Sequence, residues 1–256
     1  MPEEDTVMAM IKDGENIEDK EVLSVLMVGQ SNMAGRGNIG DVPDIKNPDC
    51  FMLRNGRWQP LKDPINVDRP VSGVRYPAGV SLGGSFADTL AKYTGKKVGM
   101  IPCADGGTNV SQWQPGELLY DHAIMQCKLA QRTSRLVGII WHQGESDALT
   151  ETAVYREKLL NVFEGFRRDL GIPDLPIIAG EISENTSDNW HISGNADRIN
   201  RVFHRLEWEL PNYAVTSAKG LTLKDDGIHF DAVSLREFGV RYCEKFINDC
   251  KSGFDL

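Results

Sequence analysis

The sequence predicts an α/β fold, a parallel sheet with helices on both faces, and three observations carry that expectation. Short continuous apolar runs recur along the chain, longer amphipathic stretches lie between them, and Gly and Pro mark the boundaries. A strand buried on both faces has no side to show to water, so it reads as an unbroken apolar run. Alternation of strands with helices implies crossovers of one hand. These stack the C-terminal ends of the strands along one edge, where ligands of open α/β sheets bind.

Residues 22–28 (VLSVLMV) are the first such run and end at Gly29. Residues 97–102 (KVGMIP), 136–141 (LVGIIW), 175–179 (LPIIA) and 213–217 (YAVTS) read the same way, giving about five strands. The amphipathic stretches are 86–93, 118–132, 153–170, 196–210 and 235–247. In the third, Val154, Leu159, Val162, Phe163 and Phe166 share one face at helical spacing, and Gly171 with Pro173 ends it. Residues 1–20 read as an N-terminal extension. Residues 38–81 break the alternation: they are rich in Pro, Gly, Asn and Asp, have few periodic apolar positions, and read as a long ordered loop. Neither an internal repeat nor a dividing linker appears, so residues 1–256 are expected to form one domain.

Composition excludes several classes. With 41% hydrophobic and 25% charged residues, the chain has enough apolar material for a sizeable core. A formal net charge of −9 disfavours nucleic acid as a partner, and the densest basic stretch is only Arg167 and Arg168, followed by Asp169. No run of about 18 apolar residues occurs, so no membrane span is expected. The acidic N-terminus lacks the basic and apolar regions of a secretory signal. The protein is therefore expected to be cytoplasmic, or secreted with its signal removed. Cys50, Cys103, Cys127, Cys243 and Cys250 form an odd set without a CxxC pair, which argues for reduced buried thiols over a disulfide framework or zinc site.

Four polar clusters fall at strand ends or just beyond them. Ser31 stands two residues past the first strand, between Gly29 and Gly35. Two roles fit it equally on this ground, a nucleophile or the cap of the next helix. The missing glycine two positions later argues against the G-x-S-x-G elbow. Asp226 precedes His229 by three residues across a turn at Gly227, close enough to reach the imidazole Nδ1 and hold the tautomer a base needs. The other four histidines read as ordinary surface or core residues. Gln143, in WHQGESD after the third strand, offers an amide to a developing oxyanion, while Ser146 or Asp147 in the same cluster reads as a helix cap. Gly106 and Gly107, after the second strand, leave backbone N–H groups accessible; alone they would mean a turn.

Together GQSNMAG, GGT followed by Trp113, WHQGESD and DGIHFD resemble the sequence blocks of SGNH hydrolases, most of all carbohydrate esterase family 6 and the sialate O-acetylesterase-like group. The blocks run from residue 29 to residue 231. The resemblance implies a three-layer α/β/α fold with a five-stranded parallel sheet. It implies Ser31 as nucleophile and first oxyanion donor, Gly106 (or Gly107 beside it) as second donor, Gln143 as third, His229 as base and Asp226 as orienting acid. Glu145 is a second carboxylate that it places near the site, to support the histidine or bind substrate; the local spacing favours Asp226 as the acid.

The activity that the resemblance implies is that of an acetylesterase acting through an acyl-enzyme on acetylated carbohydrate, with acetylated xylan the first substrate and acetylated sialic acid the rival. An esterase of small non-sugar esters and a non-catalytic carbohydrate-binding module are the alternatives, and the intact set of Ser31, Gln143, Asp226 and His229 speaks against the module. No cofactor is implied and no metal: His142, Glu145 and Asp147 match no standard ligand spacing. Arg36 is a candidate to bind substrate. Trp58, Trp113 and Trp190 offer faces on which sugars can stack, Trp113 having the best case because it follows the GGT loop.

Overall fold

A computed structural model describes residues 22–67, 77–187, 192 and 194–250; the expected extension 1–20 and Trp190 lie outside the described residues. The five expected strands are present as β1 (Val22–Gly29), β4 (Lys97–Pro102), β5 (Arg135–His142), β6 (Ile177–Gly180) and β7 (Tyr213–Thr216). Among the described residues, however, the sheet has seven strands in the order β3-β2-β4-β1-β5-β6-β7, because β2 (Cys50–Arg54) and β3 (Arg57–Pro60) extend it beyond β4. β2 runs parallel to β4, and β3 returns antiparallel at the edge.

Both added strands fall inside the stretch read as a loop, which corrects the five-strand count. The apolar run Phe51–Leu53 is too short to register as a periodic segment, and β3 carries one buried residue, Trp58. A usable signal was nonetheless present. Asn55 and Gly56 join the strands with φ of 52° and 74°, the positive-φ pair that a two-residue hairpin requires. The remaining excursion is pinned to the sheet edge. Asn66 donates to the Ala104 carbonyl at 2.8 Å and accepts from the Ala104 N–H at 2.9 Å.

The strands split the core in two. Along β1, Val22, Leu26 and Val28 face one side and Leu23, Val25 and Met27 the other, the period-two alternation of a pleated strand. The first side is covered by α3 (Leu118–Ala130), α4 (Thr152–Leu170) and α5 (Ala196–Leu206), the second by α2 (Leu82–Thr94) and α6 (Ala232–Asp249). Helix α4 buries Leu159, Val162, Phe163 and Phe166 as its spacing predicts, whereas Val154, one turn earlier, is 38% exposed. All five cysteines are free and buried.

One charge feature was invisible in the linear sequence. Arg156 of α4 and Arg198, Arg201 and Arg205 of α5 line one groove of about 490 Å³. Glu209 pairs with both Arg156 and Arg205, and Asp197 pairs with Arg201. The chain does therefore gather a local basic cluster, made by packing two helices rather than by a run of residues.

Gly29 fixes where β1 stops. Its φ is +135°, and a Cβ there would lie 2.1 Å from the His142 carbonyl oxygen. Gly29→Ala must therefore move backbone at the end of two central strands. We expect it to lower stability by about 3 kcal/mol or more, read as a fall in the urea midpoint against wild type.

Candidate active site

Past Gly29 the backbone crosses the end of β5, where the Gln30 N–H donates to the His142 carbonyl at 2.8 Å. Ser31 then opens the short helix α1 (Ser31–Ala34) and is 6% exposed. It is the first residue of a helix rather than its cap. Its N–H therefore belongs to the first turn, whose N–H groups have no intrahelical carbonyl to bond.

His229 reaches Ser31 from the other end of the chain. A tight turn, closed by Gly227 N–H to Lys224 O at 2.9 Å and Lys224 N–H to His229 O at 2.8 Å, presents its ring. His229 Nε2 lies 2.9 Å from Ser31 Oγ, and His229 Nδ1 lies 2.9 Å from Asp226 Oδ2. A carboxylate only accepts, so the ring proton sits on Nδ1 and leaves Nε2 to take the serine proton. The other oxygen, Asp226 Oδ1, accepts from the N–H groups of Ile228 at 3.1 Å and His229 at 3.0 Å. Burial opposes charge on Asp226, but these N–H donors and the His229 ring outweigh it and hold the carboxyl below its ordinary value.

Glu145 stands elsewhere. It is buried against Asn32, whose Nδ2 donates to Glu145 Oε1 at 2.7 Å, and lies 3.4 Å from His142 Nε2. Burial favours its neutral form, yet the neighbouring His142 and the Asn32 amide hold it below the usual carboxylate range.

Gly106 backs directly onto the serine. A Cβ there would sit 3.5 Å from Ser31 Cβ and 2.5 Å from Arg36 Nη2, so the glycine leaves room for both. Gly107, at φ +76°, has open space where its Cβ would be. Arg36 is half-buried and also donates to the Gly35 carbonyl at 2.9 Å.

Gln143 is fully buried, with its amide engaged. Its Nε2 lies 2.6 Å from Asp147 Oδ2, 3.1 Å from the Thr108 carbonyl and 3.3 Å from Gln30 Oε1, while Tyr155 donates to its Oε1 at 3.2 Å. Asp147 does not cap α4. Its carboxylate takes the Val110 N–H at 2.8 Å and thereby ties the GGT loop to the QGESD loop. Burial pushes the Asp147 carboxyl up, and its neutral donors offset only part of this.

Trp113 and Trp58 are not stacking platforms. Trp113 is fully buried, donates to Thr108 Oγ1 at 3.1 Å and packs edge-on against Trp141. Trp58 covers Gly99 of β4, where a Cβ would come within 2.4 Å of its ring, and donates to Thr133. A large apolar ring beside a sheet is worth more in the core than in water. Sequence reasoning missed Asn32, although it stands beside Ser31 in the first block.

The Asp226 shift fixes the sign of a pH effect. A carboxyl depressed on folding contributes stability above the unfolded value of about 3.9 and loses it as pH falls through the lower folded value. Asp226→Asn should therefore flatten the loss of stability between about pH 5 and pH 2. Urea midpoints of the two proteins across that range check it, and equal slopes would refute it.

Residues 22–248 match the family described as carbohydrate esterase, sialic acid-specific acetylesterase. The chain is 27% identical over 245 residues to a probable carbohydrate esterase of Arabidopsis thaliana, covering 88% of this chain and 90% of that protein. The crystal structure of an Arabidopsis thaliana protein superposes with a TM-score of 0.78 at 26% identity, over 90% of this chain and 100% of the other. The crystal structure of NanS shares the fold, with a TM-score of 0.71 at 17% identity over 89% of this chain and 97% of the other. With the family match spanning nearly all the described residues, this chain belongs to the carbohydrate esterase, sialic acid-specific acetylesterase family and is a carboxylic ester hydrolase.

Proposed function

We propose that the protein removes O-acetyl groups from carbohydrate through an acyl-enzyme, with Ser31 as nucleophile, His229 as general base and Asp226 as the acid that orients it. The observation that carries this reading is the continuous chain from Asp226 Oδ2 through the His229 ring to Ser31 Oγ, with 2.9 Å at each step. Ser31 Oγ attacks the acetyl carbonyl while His229 Nε2 takes its proton. The imidazolium then returns that proton to the sugar alkoxide as it leaves, and water repeats the sequence on the acyl-serine. The N–H groups of Ser31 and Gly106 are the first two oxyanion donors in this reading. Gln143 serves as the third donor by releasing its two longer contacts, the Thr108 carbonyl at 3.1 Å and Gln30 Oε1 at 3.3 Å, and keeping Asp147.

Two sugars divide the substrate question. Acetylated xylan, a neutral chain, is the reading drawn from carbohydrate esterase family 6. A sialic acid carries a carboxylate, and the Arg36 guanidinium beside Gly106 favours it as a second reading.

Ser31→Ala should lower kcat on p-nitrophenyl acetate by roughly a million-fold; a residual rate near wild type would sink the mechanism. Asp226→Asn should cost more in kcat than Glu145→Gln, and the reverse order would move the acid role to Glu145. Butyrate preferred over acetate, with acetylated sugars untouched, would remove the carbohydrate assignment. Comparing kcat/KM on acetylated xylo-oligosaccharides and O-acetylated sialic acid, before and after Arg36→Ala, separates the sugars. A selective loss on the sialic acid of about ten-fold or more supports the anionic reading, and equal losses support the neutral one.

A further inference from the structure

Asn32 is 1% exposed, and its side-chain amide binds both the loop that carries His229 and the Glu145 carboxylate. Its Oδ1 accepts the Phe230 N–H at 3.1 Å and its Nδ2 donates to the Ile228 carbonyl at 3.2 Å, so the amide grips the peptide groups on either side of His229. The remaining hydrogen on Nδ2 goes to Glu145 Oε1 at 2.7 Å. An amide turned the other way would set its oxygen against the Ile228 carbonyl and the Glu145 carboxylate, and its NH₂ against the Phe230 N–H. Glu145, together with the Ile228 carbonyl and the Phe230 N–H, therefore selects the one orientation in which Asn32 can hold the loop.

His142 lies below Glu145 and is held by Tyr242. Tyr242 has one hydroxyl hydrogen, which it gives to the Trp141 carbonyl at 2.8 Å, so it accepts from His142 Nδ1 at 3.0 Å. His142 Nε2 then faces Glu145 Oε1 at 3.4 Å. All three side chains are buried beneath the site. These contacts run among themselves and to Asn32 and Trp141, rather than to Ser31 Oγ or the His229 ring.

We infer that Asn32 and Glu145 are positioning residues for the general base, acting through the backbone on both sides of His229 to keep Nε2 on Ser31. This rests on the proposed mechanism, in which His229 is the base. It also gives Glu145 a place in the reaction without making it the histidine's acid. Being next to the nucleophile in sequence, Asn32 links the helix that presents Ser31 to the loop that presents His229, so one side chain sets the distance between the two reacting atoms.

The test is the set Asn32→Asp, Asn32→Ser, Glu145→Gln and Glu145→Ala, each checked for a cooperative thermal transition. Asn32→Asp puts an acceptor against two acceptors and should lower kcat on p-nitrophenyl acetate about a hundred-fold, with KM little changed, the cost of misplacing a reacting group by about 1 Å. Asn32→Ser loses the grip without adding charge and should fall in the same direction if the aspartate variant does not fold. Glu145→Gln keeps an acceptor for Asn32 and should lose far less than Glu145→Ala. A purely structural role would lower Tm but leave the kcat of the folded protein, and the pH dependence of Ser31 labelling by a fluorophosphonate, at wild-type values. That result in folded Asn32 variants would overturn the inference. It is distinguishable from failure of the mechanism itself, which would show as an active Ser31→Ala enzyme.

Discussion

The hydrogen bond from Gln30 N–H to the His142 carbonyl, 2.8 Å long, holds together the edge of the sheet that carries the candidate active site. It continues the pairing of β1 with β5 one residue past Gly29 and brings Ser31 and the HQGES segment to the same point on that edge. The approach is so close that a side chain at residue 29 would overlap the carbonyl. Parallel strands buried on both faces leave little room to adjust. The register of β1 against β5 thus becomes the register of the serine against the polar groups beneath it.

Those polar groups show how burial and partners decide charge. Glu145 and Asp147 lie two residues apart and both are buried, yet their carboxyls shift in opposite directions. Glu145 faces His142 as well as an amide, and the attraction outweighs the loss of water. Asp147 is bonded to the Val110 N–H, the Gln143 amide and the Thr150 hydroxyl, all neutral, and desolvation wins. Each carboxylate has a mechanical task as well: Asp147 ties the GGT loop to the QGESD loop, and Glu145 orients Asn32. The environment of Ser31 is therefore a polar core, most of whose side-chain groups are bonded, which resists displacement when substrate binds.

A cavity of about 380 Å³ opens at the opposite edge of the sheet, lined by Leu136, Val137, Leu170 and Leu175 among others. It lies at the start of β5 and the end of α4, away from Ser31, His229 and Asp226. Strand direction separates the two edges. The C-terminal ends carry the turns in which glycines and polar side chains expose backbone N–H groups, and the chemistry gathers there.

The five core strands and five covering helices were legible in the amino-acid order alone, because apolar runs and helical periodicity are local signals that burial demands. So was the pairing of Asp226 with His229, since three residues and a glycine turn make that contact almost local. Ser31 as a candidate nucleophile was legible only jointly, through four clusters at strand ends. The hairpin of β2 and β3 escaped because its apolar run is short, although Asn55-Gly56 marked its turn. Contacts between residues far apart in the chain were settled by packing. The folded chain placed Trp113 in the core, engaged the Gln143 amide with Asp147, and set Asn32 across 196 residues against the Ile228 carbonyl. A side chain's partners depend on which elements pack above it, and no local pattern records that.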